Sequence, residues 1–278
     1  MSQPDTVAQV TVTQRLVANA AARGPVVALR GGIGPDGGAG TYSYARLGIT
    51  VQVAAAGLAS RGLQPKDVVG VQVPDAVSFV LAIHAIRAVG GIPAPVAPGL
   101  SIAEMAGQLA ESGARMLITA PPLADRGLAA ADRSWIRQVF SFADAAGATP
   151  FSDLLGLAIM RPAGGRGHDI ALLPFARGED GRLRPTPVSH TELADRLGRI
   201  EERAGLTEND VVLAAPPAGE GLGYSLFLDG ALLCGATVVA TPAHELAAAA
   251  AAGQGTAAIV PGSARVRMPA TVRVFAVA

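Results

Sequence analysis

Residues 176–190, ARGEDGRLRPTPVSH, gather glycines, arginines and hydroxyls between an apolar run and an amphipathic one. Gly178 and Gly181 permit tight turns, Arg184 supplies a cation, and Ser189 and His190 end the stretch. A strand, a glycine-rich loop and a helix in that order can cradle phosphates, because backbone N–H groups and hydroxyls converge on the oxygens. Two features oppose that chemistry. Glu179 and Asp180 put two carboxylates in the middle of the segment, and Pro185 and Pro187 each remove an N–H donor. On composition alone, the segment is an exposed turn.

No other grouping has the spacing of a reactive centre. Gly32-Ile-Gly34-Pro-Asp-Gly37 spells G-x-G-x-x-G after an apolar strand. A dinucleotide site would need the third glycine to lead into a helix. Here the strand-like TYSY follows, and Asp36 would face the phosphates, so a hairpin turn is expected. His84, His168 and His244 lack metal-ligand spacing. His84 is expected as a surface or core residue, His168-Asp169 as a cap or linker, and Glu201-Glu202-Arg203 as a solvated helix face. No Ser, His and Asp constellation suggests a catalytic residue, and no metal site is expected.

The elements around the segment alternate. VVALR (26–30) and TYSY (41–44) flank a glycine-rich turn, and Leu47, Val51, Ala54, Ala55 and Leu58 form a helical stripe ended by Gly62. VVGVQV (68–73) reads as a strand. Asp75 is placed to cap a helix over 76–89 with Val80, Ile83 and Ile86 on its apolar face. IPAPVAP (92–98) is held extended by its prolines. Ser101 and Glu104 match a capping box for a helix closed at Ser112-Gly113. RMLIT (115–119) and WIRQVF (135–140) are the next strands. RPAGGRG (161–167) punctuates the chain, which suggests a first α/β subdomain over 1–165 and a second over 166–278.

The second stretch repeats the rhythm: strand IALLPF (170–175), the loop, a helix over 191–204, strand VVLAA (211–215), a helix near 223–233, and strand TVVAT (237–241). An alanine-rich helix over 243–252 and strands TAAIV (256–260) and TVRVFAVA (271–278) follow. Strands separated by helices imply βαβ units and mainly parallel sheets. The fold class expected is therefore α/β.

Half of the residues are hydrophobic but only 4% are aromatic, so aliphatic side chains must fill the core. A formal net charge of zero argues against nucleic acid or an anionic membrane as the main partner. Cys234 is the single cysteine, which excludes an internal disulfide and fits a cytoplasmic location. No secretory leader is evident in MSQPDTVAQV. Residues 222–240 approach membrane-spanning length, but Asp229 near their centre would cost roughly 3 kcal/mol in a bilayer. A buried helix followed by a strand is expected instead.

Collinear segments resemble the adenylate-forming (AMP-binding) acyl-CoA synthetases, most closely their 4-coumarate:CoA ligase-like branch. TYSYARL (41–47), the stretch 62–98, EMAGQLAESGARMLIT (104–119), ATPFSDLL (148–155), HDIALLPF (168–175) and LTENDVVLAAPP (206–217) are each similar to family segments. The resemblance identifies 176–190 with the family's phosphate-binding loop and implies a partial N-terminal domain of an acyl-CoA synthetase. It implies that Gly178, Gly181, Arg184, Ser189 and His190 keep the loop's frame, whereas Glu179 and Asp180 replace two hydroxyl residues. It places Glu220 where the family has a histidine bordering the acyl pocket, with Gly223 beside it. It also implies that the chain stops before the adenine and ribose contacts and the mobile C-terminal domain. The function expected is a truncated, degenerate homologue, inactive alone, serving as a binding or partner scaffold. The alternative is an acyl- or aryl-CoA ligase using ATP, Mg²⁺ and CoA, with a partner supplying the missing half. A homodimer or such a protein partner is expected.

Overall fold

The structure, a computed structural model, describes residues 9–216, 221–262 and 267–277. The first stretch contains α1 (Val12–Arg23), β1 (Val27–Gly31), β2 (Gly40–Ser43), α2 (Tyr44–Ser60), β3 (Val68–Gln72), α3 (Ala76–Val89) and β4 (Ile92–Pro95). Then come α4 (Ile102–Ser112), β5 (Met116–Thr119), α5 (Ala124–Ala131), β6 (Gln138–Ser141) and β7 (Thr149–Pro150). Four short strands, β8 (Ile170–Leu172), β9 (Phe175–Arg177), β10 (Leu183–Pro185) and β11 (Val188–Ser189), lead into α6 (His190–Ala204). The rest is β12 (Val211–Ala214), α7 (Leu222–Cys234), β13 (Thr237–Ala240), α8 (Leu246–Ala251), β14 (Ala257–Pro261) and β15 (Arg273–Val277).

Two sheets organise these elements. One has the order β4-β3-β5-β6-β7 and is wholly parallel. The other has the order β15-β14-β12-β13-β1-β2, parallel except for the β1–β2 hairpin. This is the α/β class expected. The six-stranded sheet takes two strands from before residue 165 and four from after it.

Local chemistry sets the helix ends. Thr11 with Gln14, and Ser101 with Glu104, form capping boxes on α1 and α4. The Asp75 carboxylate accepts from the N–H groups of Val77 and Ser78 at the start of α3, and Gly90 closes that helix in the left-handed conformation at φ 86°. Every residue of α3 is buried, not only the face of Val80, Ile83 and Ile86, because α3 contacts strands of both sheets as well as α1, α2 and α7.

Several details depart from the sequence reading. Helices α1 and α5 were not expected. The buried stripe of α1 is narrow (Val12, Thr13, Leu16, Ala20), and that of α5 holds only alanine and glycine, so neither has a strong apolar period. Tyr44 begins α2 and does not extend β2; Ser43 caps it. The 135–140 strand narrows and shifts to Gln138–Ser141. IALLPF splits into β8 and β9 around Pro174, whose carbonyl accepts from the Thr186 N–H at 2.8 Å. The alanine-rich helix covers only Leu246–Ala251. Gly32–Gly37 forms a hairpin turn, as read. Among the described residues, no helix is long and apolar enough to cross a membrane.

One glycine makes a close approach that can be tested. A Cβ on Gly57 in α2 would lie 2.2 Å from the Leu154 carbonyl oxygen, a backbone atom. Gly57→Ala should therefore cost about 1–3 kcal/mol as the helix is displaced, despite alanine's better helix propensity. Urea unfolding measures this, and an unchanged midpoint would show that α2 yields freely.

Candidate functional site

The 176–190 segment folds as a twisted excursion rather than an open loop. β8 pairs antiparallel with β11, and β9 with β10, so Leu183 faces Arg177 and Pro185 faces Phe175. Phe175 is buried with Ile92, Ala94 and Leu173, which anchors the hairpin on the edge of the five-stranded sheet. The tip is Gly178–Arg182. There the Gly181 N–H donates to the Gly178 carbonyl at 2.9 Å, and the Gly178 N–H donates to the Arg182 carbonyl at 2.9 Å. Gly181 takes φ 74°, a conformation that favours glycine.

Asp180 completes this tip. Its carboxylate accepts from the Arg182 N–H at 3.1 Å and from Arg184 Nη2 at 2.7 Å. The Arg184 guanidinium, then the Arg182 N–H, hold its carboxyl below the usual aspartate range. The side chain thus sits where an anion would meet the loop's donors. Arg177 fastens the tip from the other side: Nη1 donates to the Gly181 carbonyl at 2.6 Å, and Nη2 donates to Glu104 Oε1 at 2.9 Å. The N–H and hydroxyl of Ser101, together with Arg177, pull the Glu104 carboxyl down to about 2. One acidic residue therefore serves both the capping box of α4 and the hairpin.

The other expected loop residues are engaged elsewhere. Ser189 Oγ accepts from the Glu192 N–H and caps α6, so it is a helix start and not a free phosphate ligand. His190 is the first residue of α6; its N–H donates to the Asp169 carbonyl at 3.0 Å. Burial, then the nearby Arg87, pushes its imidazole below the usual histidine range. Pro185 lies in the arm β10, away from the tip. Glu179 is exposed at the tip. Gly223 is half-buried in the first turn of α7, whereas Glu220 lies outside the described residues.

A buried polar cluster supports the hairpin's stem. His84 and Arg87 on α3 both reach Asp229 on α7, through His84 Nε2 at 3.0 Å and Arg87 Nη1 at 3.0 Å. Arg87 Nε also donates to the Ala171 carbonyl in β8 at 3.1 Å, and Thr13 on α1 meets His84 Nδ1 at 2.9 Å. Burial would raise the Asp229 carboxyl, but Arg87 and His84 outweigh it and hold the group low. The side chains of this trio are at most 3% exposed, so the cluster clamps helices together and does not meet a ligand. Two polar residues three apart in an apolar helix, and one aspartate in another apolar run, were the sequence signal for it. Arg177 and Glu104 carried no comparable signal, because their pairing joins residues 73 positions apart. Cys234 is half-buried at the end of α7, its thiol directed at the Ala231 carbonyl and pushed up by burial.

The profile of the family described as "AMP-binding enzyme" matches residues 16–257. The chain belongs to the AMP-binding enzyme family. It is 30% identical over 229 residues to a 4-coumarate–CoA ligase-like protein of Oryza sativa subsp. japonica, an alignment covering 72% of this chain and 38% of that protein. It is 30% identical over 244 residues to the salicyl-AMP ligase / salicyl-S-ArCP synthetase of Mycobacterium tuberculosis, covering 82% and 43%. A long-chain-fatty-acid–CoA ligase of Archaeoglobus fulgidus shares the fold at a TM-score of 0.80 and 19% identity, over 94% of this chain and 54% of that one. The chain thus spans about 40% of the length of those two relatives.

Proposed function

We propose that this chain is a degenerate acyl-CoA ligase-like protein whose phosphate hairpin is occupied by its own Asp180. By itself it is a binding or partner scaffold and does not activate carboxylic acids. The observation that carries this reading is the engagement of the tip: Asp180 takes both the Arg182 N–H and the Arg184 guanidinium. An incoming triphosphate must displace that carboxylate and meet Glu179 beside it. The tip as it stands does not fit nucleotide phosphates. Isothermal titration of ATP–Mg²⁺ into the chain should give a dissociation constant weaker than about 1 mM, equivalent to roughly 4 kcal/mol. Micromolar binding would reject the reading.

The family match favours a second reading: an acyl- or aryl-CoA ligase that forms an acyl-adenylate from a carboxylic acid and ATP, then uses CoA, with a partner completing the fold. The single, unpaired-by-disulfide Cys234 suits the cytoplasmic setting of either reading. Both also concern the sheet edge. Among the described residues β15 pairs only with β14, and Val274 on it is 45% exposed. Unpaired strand edges seek partners, so the purified chain should dimerise or capture a complementary chain through Arg273–Val277. Light scattering at high concentration tests this, with hydrogen exchange to locate the contact. A monomer whose β15 amides are already protected would count against it.

A further inference from the structure

The crevice between the carboxyl ends of the two sheets is a cavity of about 300 Å³ that no part of the phosphate chemistry uses. It is reached by the segments following β1, β3, β5, β12 and β13, the place where open parallel sheets characteristically receive ligands. Among the described residues its wall is rich in proline. Five of the eleven lining residues are prolines: Pro74, Pro121, Pro122, Pro216 and Pro242. None has an N–H to offer an anion. Thr241 turns its hydroxyl away, donating to the Val239 carbonyl at 3.0 Å.

Among the described residues, the one charged group at the wall is Asp75, and its acceptor sites are full. Oδ1 accepts from the N–H groups of Val77 and Ser78, and Oδ2 from the Ile33 N–H and the Ser78 hydroxyl. A carboxylate offers about four such sites. These bonds also explain the first glycine of the G-x-G-x-x-G stretch: a Cβ on Gly32, which has φ 66°, would lie 2.2 Å from Asp75 Oδ1. The glycine lets the β1–β2 hairpin close against α3 and form one side of the cavity.

We infer that this crevice is a binding site for a neutral, fused-ring aromatic molecule. Ile33, Ala214, Ala240 and the prolines supply apolar faces, and the fixed carboxylate of Asp75 repels carboxylates and phosphates. A cavity of about 150 Å³ admits benzene, so twice that volume suits a bicyclic ring. The inference is independent of the nucleotide reading, because the hairpin tip contributes nothing to the cavity.

The probes are 2-naphthol and 2-naphthoate, titrated into the chain and followed by saturation-transfer NMR. Saturable binding of 2-naphthol, with 2-naphthoate at least tenfold weaker, is expected. Ala240→Leu should fill the cavity and weaken 2-naphthol at least tenfold, with a thermal melt confirming the fold. Ile33→Ala, on the partly exposed hairpin, removes one wall and should weaken it severalfold even if the leucine variant fails to fold. Asp75→Asn retains a good capping residue and should bring 2-naphthoate within threefold of 2-naphthol. Absence of saturable 2-naphthol binding, equal binding of the anion to the parent, or indifference to the folded cavity variants would each overturn the assignment.

Discussion

Asp229→Ala should destabilise the fold by about 3–5 kcal/mol, the typical cost of leaving a buried charge without its partner. The variant strands the Arg87 guanidinium between Ala171 and Ser225 and takes the acceptor from His84 Nε2. Arg87→Ala should cost a similar amount by stranding the carboxylate. The double variant Arg87→Met/Asp229→Leu should lose less than either single change, because apolar residues of similar volume often replace a buried pair at little cost. Urea unfolding of the three variants and the parent measures the coupling. A loss under 1 kcal/mol for Asp229→Ala would show that water or a shifted side chain replaces the clamp. The acid response follows from the same group. The Asp229 carboxyl titrates below its ordinary range in the folded chain, so its contribution is present above the unfolded aspartate value. That contribution is lost as pH falls through the folded value. Asp229→Asn should flatten that acid limb.

The second large effect concerns the hairpin tip. Asp180→Thr should raise affinity for pyrophosphate or ATP–Mg²⁺ at least tenfold. The change removes a negative charge, frees the Arg182 N–H and Arg184, and adds a hydroxyl. Adding Glu179→Thr removes a second repelling charge and should improve binding further. Pro185→Gly, which the sequence reading would have placed with these two, should contribute little to the phosphate and loosen the hairpin, because Pro185 sits opposite Phe175 in the arm. Calorimetry on folded variants decides the matter. An Asp180→Thr/Glu179→Thr chain that folds normally yet binds no better than the parent would remove Asp180 as the obstacle. Stability should barely change, since Asp180 and Glu179 are exposed. Arg177→Ala is the informative contrast: it unfastens the tip from Glu104 without removing the internal anion, so it should leave phosphate affinity low.

The helix starts at Asp75 and Ser101, and the closing glycines at Gly90 and Gly113, were legible because capping is settled within four residues of chain, whereas the caps Ser43 and Ser189 were hidden in stretches read as strand and loop. The parallel strands were legible for the same local reason, as short apolar runs between turn residues. Helices α1 and α5 were not, because the narrow stripe of α1 and the alanine and glycine stripe of α5 barely differ from their surroundings. By composition, two carboxylates among glycines and arginines, the hairpin reads as an exposed turn, and only the family resemblance suggests an altered phosphate loop there.

What that alteration does was decided in three dimensions. Sequence shows Asp180 four residues before Arg184; only the turn at Gly178–Gly181 brings its carboxylate onto both the Arg182 N–H and the guanidinium. Sequence shows three polar residues in apolar helices; only the packing of α3 against α7 makes them one cluster across 145 positions of chain. Likewise the proline-walled crevice exists because five strand ends, from Gly31 of β1 to Ala240 of β13, terminate at one place. Local propensity acts over a few residues and can be read from their order. Pairings between distant segments depend on which sheets form and how the helices pack between them, and that is fixed by the burial of the whole core.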